Sequence, residues 1–166
     1  TGNSNNNPEL NYKGKGFYSS ITEAGYDSCN VGKMHYVWDK LGNLGFKRRH
    51  VQEPCAKDEY HDFIRNSPYN NVFDLDGHRS EMYYVPQVSQ LPQEYHPTNW
   101  VGERTLDFLE GCDPNEDNIF MFTSIFHPHP PFSPPSPWNK IYRDYEGIEP
   151  VRPSNPDPLT FEKILY

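Results

Sequence analysis

The sequence predicts an α/β fold with a mostly parallel sheet and many loops, on three observations. A short helical period stops at a glycine and passes into a short strand over residues 17–32. A stronger helical period over residues 98–110 stops at Gly111 and leads, after a turn, into the apolar run NIFMFTSIF. Helix, turn and strand in alternation are the pattern of a sheet layered with helices. Seventeen prolines among 166 residues, about twice the usual ~5%, require long irregular connections.

The length is that of one domain or of a piece of a larger one. Apolar residues make up 34%, which is lean for a globular domain. The 12 tyrosines, 10 phenylalanines and 3 tryptophans nevertheless speak against disorder. Fifteen basic residues against 23 acidic ones give a net charge of −8. That balance excludes a nucleic-acid surface, which needs a basic stripe; the one basic cluster is Lys47-Arg48-Arg49-His50. No apolar run approaches the ~18 residues of a membrane span. No targeting segment is visible, and the chain opens Thr1-Gly2-Asn3 rather than with Met. Cys29, Cys55 and Cys112 are odd in number and form no CxxC, so neither a zinc site nor a disulfide framework is expected.

In chain order, residues 1–16 read as an irregular leading segment. Phe17, Ile21 and Ala24 stand at i, i+4, i+7, one face of a short helix, which Gly25 stops. Ser20 and Glu23 also fit a capping box that would start the helix later; the apolar spacing is the better guide. A strand through Cys29 and Val31 then runs into Gly32-Lys33-Met34-His35. Residues 46–97 read as an excursion of loops and small strands, with Glu59 to Ile64 a helical turn and Met82 to Val85 a candidate strand. Long excursions of this kind carry specificity in α/β folds. The 98–110 helix is expected to be capped by Thr98 or Asn99. Its apolar face holds Val101, Thr105, Leu106, Phe108 and Leu109, and Trp100 and Phe108 are core on any reading. NIFMFTSIF suits a strand covered on both faces, and it runs into His127-Pro128-His129. Leu159 to Leu165 shows a last regular period.

Lys33 and His35, two residues apart on an extended segment, project to one side. An ammonium beside an imidazole suits an anion. Alone, a Gly-Lys pair with a nearby histidine reads first as a solvated strand end. His127 and His129 gather at the carboxyl end of a second strand, where α/β ligand sites lie. As an i, i+2 metal pair they lack a third ligand. Asp74-x-Asp76-Gly77 is an incomplete match to a calcium loop. His61, Asp62 and His78 read as solvated surface within reach of a substrate.

Two stretches carry a family resemblance. GYDSCNVGKMHY resembles the G-Y-x-T-x-x-x-G-K-x-H segment of the sulfatases, the formylglycine-dependent branch of the alkaline phosphatase superfamily. TSIFHPHPPFSPPSPWNKIY resembles their buried strand ending in P-H-x-P-[FY]. LPQEYHPTNWVGERTLDFLE is similar to the helix before that strand, and TGNSNNNPEL to the loop after the nucleophile. Met34 departs from the family's Trp, and Ser28 from its Thr. The resemblance implies part of an alkaline-phosphatase-like three-layer α/β/α sandwich that cleaves sulfate monoesters, small-molecule or glycan. It implies Lys33 on the sulfate and the nucleophile, His35 as hydrogen-bond partner and proton carrier, and His129 as donor to a sulfate or leaving-group oxygen. His127 is a weaker substrate-binding candidate. A divalent cation, usually calcium, and a formylglycine nucleophile are also implied, as is a periplasmic or secreted location.

No C-x-P-x-R or S-x-P-x-R string occurs, and the family's metal-binding aspartates are absent. The 166 residues are therefore expected to be an internal piece of one catalytic domain, inactive alone, without metal ligands of its own and prone to self-association. The alternatives are a phosphonate or phosphate ester hydrolase of the same superfamily, and a non-catalytic structural or binding piece.

Overall fold

A computed structural model describes residues 16–34, 41–54, 57–80 and 83–147. His35, Cys55, Met82, the first fifteen residues and the Leu159 to Leu165 period lie outside the described residues. Three strands, β1 (Asp27–Gly32), β2 (Arg48–His50) and β3 (Ile119–Ser124), form a parallel sheet in the order β2-β1-β3. Among the described residues three α-helices accompany them: α1 (Phe17–Glu23), α2 (Glu59–Arg65) and α3 (Pro97–Glu110).

Alternation along the strands decides which helix each residue meets. On one face Cys29 and Val31 of β1 pack with Tyr60 and Ile64 of α2 and with Trp100, Val101 and Phe108 of α3. Met121 of β3 packs against the same cluster, and Thr123 Oγ1 lies 3.1 Å from Thr105 Oγ1 of α3. On the other face Ser28 Oγ lies 2.5 Å from Thr22 Oγ1 of α1. Phe120 and Phe122 there meet Phe17, Tyr18 and Phe46 through ring contacts of 6.1–6.2 Å. The result is helix, sheet, helix, the three-layer arrangement expected. Each fully buried aliphatic side chain such as Val31 contributes roughly 1.5–3 kcal/mol.

Individual elements correct the sequence reading. Helix α1 ends at Gly25 as expected: Gly25 has φ 96°, its N–H donates to Thr22 O at 3.1 Å, and the Tyr26 N–H donates to Ile21 O at 3.3 Å. This pair of bonds is the Schellman closure. The buried face, however, is led by Tyr18, stacked 4.6 Å from Phe46, while Phe17 and Ala24 are exposed. The Ser20–Glu23 box is unused, since the helix starts after Gly16.

Helix α3 begins at Pro97, whose missing N–H costs nothing at that position. Its cap is His96 rather than Thr98 or Asn99, with Nδ1 accepting from the Thr98 N–H at 3.3 Å. Rotation of the helix toward Tyr60, whose ring lies 5.7 Å from that of Trp100, buries Trp100, Val101 and Phe108 and leaves Leu106 and Leu109 exposed.

NIFMFTSIF is not covered on both faces. No residue of β3 is fully buried, and among the described residues the strand pairs only with β1. No strand forms at Tyr83 to Val85, where the chain turns. Conversely, the basic cluster forms β2, in register with β1 from Cys29↔Arg48 to Val31↔His50. The 46–97 segment thus supplies a strand, α2 and the core residues Tyr60, Ile64, Leu75 and Leu91. No helix among the described residues is long and apolar enough to cross a membrane.

The strands are tied by buried polar groups. Asn30 donates through Nδ2 to Phe122 O at 3.0 Å and accepts from Arg49 Nε at 2.9 Å, bridging all three strands. Arg49 also donates to Gly42 O at 2.6 Å and to Glu53 Oε1 at 3.4 Å; both side chains of that ion pair are almost wholly buried. Removing one member of such a pair leaves an uncompensated buried charge, which costs about 3–5 kcal/mol. Arg49→Met should therefore destabilise the protein by that order in urea unfolding. Adding Glu53→Leu should recover part of the loss, and a double variant as unstable as the sum of the singles would contradict the coupling.

Candidate anion site

Strands β1 and β3 are parallel and aligned Gly32↔Ser124, so their carboxyl ends coincide. Gly32 makes this closeness possible. Its φ is 96°, and a Cβ there would stand 2.0 Å from Ser124 O. The Lys33 N–H then donates to Ser124 O at 3.3 Å, and the Met34 N–H to Glu53 Oε1 at 2.8 Å. The backbone carrying Lys33 is thereby fixed to β3 on one side and to the buried Arg49–Glu53 pair on the other.

From the end of β3 the chain passes through Phe126 and turns back, with the His129 N–H donating to Phe126 O at 3.1 Å. Lys33 and His129 line one cleft of about 290 Å³, with Tyr18, Met34, Phe122 and Phe126 among its walls. Lys33 Nζ lies 4.5 Å from the centre of the Phe126 ring, and the His129 ring lies 4.8 Å from the same ring. A cation over an aromatic face gains about 0.5–1 kcal/mol at exposed sites, which biases the ammonium toward the cleft. His129 Nδ1 lies 2.6 Å from Pro130 O. A carbonyl only accepts, so Nδ1 carries the hydrogen and Nε2 is the ring atom open to a ligand. In the neutral ring Nε2 accepts; donation to an oxyanion requires the imidazolium.

Lys33 and His129 are thus brought together, whereas His127 is placed elsewhere. Its ring packs 5.0 Å from that of His96, and its Nδ1 lies 3.4 Å from Thr98 Oγ1. It lines a separate apolar groove of about 650 Å³ between α3 and residues 127–138. Burial, helped by His96 and His129, pushes its pKa down to about 4, so at neutral pH it carries no charge for an anion. The turn closed by the His129 N–H on Phe126 O sends the two histidines to different pockets despite their i, i+2 spacing.

The remaining candidates have local partners. His61 is paired with Asp58 at 2.6 Å, Asp62 with Arg65 at 2.6 Å, and His78 with Asp74 at 2.9 Å. Asp76 is buried, and burial raises its pKa against the opposing charges of Arg79, His61 and Lys33. Burial also raises the Cys29 thiol to about 11, an inert core thiol. The sequence reading missed Phe126, the ring that joins Lys33 to His129, and Glu53, which holds the Met34 amide. Both are distant in sequence from Lys33, and no local pattern links them.

An ammonium, an imidazole and aromatic rings are not the oxygen-rich donor set that calcium requires. Among the described residues no group of three or more His, Cys, Asp or Glu side chains is placed to hold a metal ion. The described residues of the cleft therefore do not fit a metal ion.

No protein-family model matches the chain. It is 28% identical over 148 residues to an arylsulfatase of Clostridium perfringens (strain 13 / Type A), an alignment covering 80% of this chain and 31% of that protein. It is 29% identical over 97 residues to the multifunctional alkaline phosphatase superfamily protein PehA of Trinickia caryophylli, covering 52% of this chain and 18% of PehA. The chain thus spans about a third or less of the length of these curated relatives. Those alignments support a relationship of the chain to the sulfatases and the wider alkaline phosphatase superfamily.

Proposed function

We propose that the whole protein is a sulfuric ester hydrolase that cleaves a sulfate monoester to an alcohol or phenol plus sulfate. The observation that carries this reading is the convergence of Lys33 and His129 on one cleft from the ends of two parallel strands. The arylsulfatase similarity supports the choice of anion.

In this reading Lys33 binds the non-bridging oxygens of the sulfate group and balances charge redistributed in the transition state. A preorganised cation acts there without having to reorganise, and removing such a group typically costs about 10²–10³-fold in rate. His129, as imidazolium, donates from Nε2 to a sulfate oxygen or to the bridging oxygen as the leaving group departs. His35 is proposed as the proton carrier of the same site. The nucleophile and any divalent cation are assigned to parts of the whole protein beyond these residues.

A phosphonate or phosphate ester hydrolase is the second reading, favoured by the PehA similarity. Sulfate and phosphonate are near-isosteric tetrahedral anions, and one Lys–His pair serves either.

Comparing turnover of aryl sulfates with aryl phosphonate monoesters by the full-length protein separates the two readings. The sulfate is expected to be preferred, and Lys33→Met should lower its kcat/KM by about 10²-fold or more with the circular dichroism spectrum unchanged. Preference for the phosphonate would select the second reading, and an unimpaired Lys33→Met variant would refute both. Affinity for inorganic sulfate, read by calorimetric titration, should fall about tenfold in His129→Gln, the scale of a charge-assisted hydrogen bond, and an unchanged affinity in that variant would remove His129 from the anion's contacts.

A further inference from the structure

Arg79 is a third cation near the cleft, and it comes from the 46–97 excursion. Its guanidinium carbon lies 5.7 Å from the centre of the Phe126 ring, the ring that also carries Lys33. It lies 5.8 Å from the Tyr83 ring, which in turn lies 6.4 Å from that of His129. The guanidinium thus touches two aromatic rings that also touch Lys33 or His129.

The loop bearing Arg79 is fastened to the loop bearing His129. Ser133 Oγ donates to Asp76 O at 2.7 Å, and the Gln87 N–H donates to Phe132 O at 2.7 Å. The Gln87 side chain brackets His78 in both directions, accepting its N–H at 2.8 Å and donating to its carbonyl at 2.9 Å. Gly77, with φ 103°, lies so close to Pro131 and Ser133 that a Cβ would stand 3.0 Å from both. These contacts fix the backbone just before Arg79. Both cations, Lys33 and Arg79, also act on the buried Asp76, whose carboxyl burial holds toward its neutral form.

Arg79 does not line the cleft of Lys33 and His129 but a neighbouring depression of about 150 Å³, shared with His61, Asp74 and Asp76; Asp74 is paired with His78. A group bound in the cleft would meet Arg79 only through whatever projects from it. We infer that Arg79 is a substrate-binding residue that takes a second oxyanion, a carboxylate or another sulfate, on the leaving-group part of the ester. The planar guanidinium fork matches such groups in bidentate fashion, as an ammonium does not. The inference rests on the reading of Lys33 and His129 as the sulfate site, and it makes the preferred substrate an ester with an acidic leaving group.

Binding of hydrolysis-inert probes to the full-length protein tests it. Benzenesulfonate carries one anionic group, and 3- and 4-sulfobenzoate carry a second. Calorimetric titration is expected to show at least one sulfobenzoate isomer binding about tenfold tighter than benzenesulfonate, the scale of a charge-assisted hydrogen bond. Arg79→Met should abolish that difference while leaving benzenesulfonate affinity unchanged, and Arg79→Lys should keep part of it. Lys33→Met should weaken all probes together. No gap in the unmodified protein, or an Arg79→Met variant that keeps the gap or weakens all probes equally, overturns the assignment. A gap that depends on Arg79 but survives Lys33→Met at full probe affinity would instead refute the sulfate reading of the cleft while supporting an oxyanion at Arg79.

Discussion

The buried ion pair of Arg49 and Glu53 is the constraint to which the rest of the structure is referenced. Burying two charges is expensive, and their attraction offsets that cost only when the remaining donors and acceptors are also satisfied. Here Arg49 reaches the central strand through Asn30 and the preceding loop through Gly42 O. Glu53 accepts the Met34 amide, and its own N–H donates to Asp58 at 2.7 Å. Asp58 in turn caps α2 and pairs with His61. One buried pair therefore positions β1, β2, α2 and the backbone next to Lys33. Apolar packing supplies the free energy of the two faces, while this polar network sets where the end of β1 points.

That placement gives an acidic chain the local arrangement that the proposed anion site needs. The overall charge of −8 disfavours non-specific attraction of anions, so selectivity has to come from a local arrangement. The arrangement is a ring, Phe126, with Lys33 over it and His129 beside it. Cation and imidazole are carried by different strands and meet only because the strands are parallel and aligned at Gly32 and Ser124. Gly32 is required by geometry, since any side chain would enter the Ser124 carbonyl.

The features legible in the sequence were those with local causes. The Gly25 stop is set by a positive φ and α3 by its 3.6-residue period, whereas the meeting of Lys33 and His129 spans the chain and was expected from the family resemblance rather than from a local cause. The features not legible depend on partners far along the chain. Strand β2 is three residues of Arg-Arg-His, whose charges hide a strand until Asn30 and Glu53 are seen to bury Arg49. The buried face of α3 turns toward Tyr60, and that of α1 toward Phe46, choices that no helical period within either segment encodes. His127 and His129 look equivalent in sequence, yet a turn sends one beneath α3 and the other into the cleft. The apolar run of β3 reads as fully covered, but its sequence does not say how many neighbours will flank it.

The most direct measurement is a crystal structure of the full-length protein grown with sulfate. The expected result is an oxyanion in the cleft, within hydrogen-bonding distance of both Lys33 Nζ and His129 Nε2. A cleft that stays empty at saturating sulfate, or an ion bound instead in the groove beside His127, would contradict the assignment of Lys33 and His129 to a shared anion.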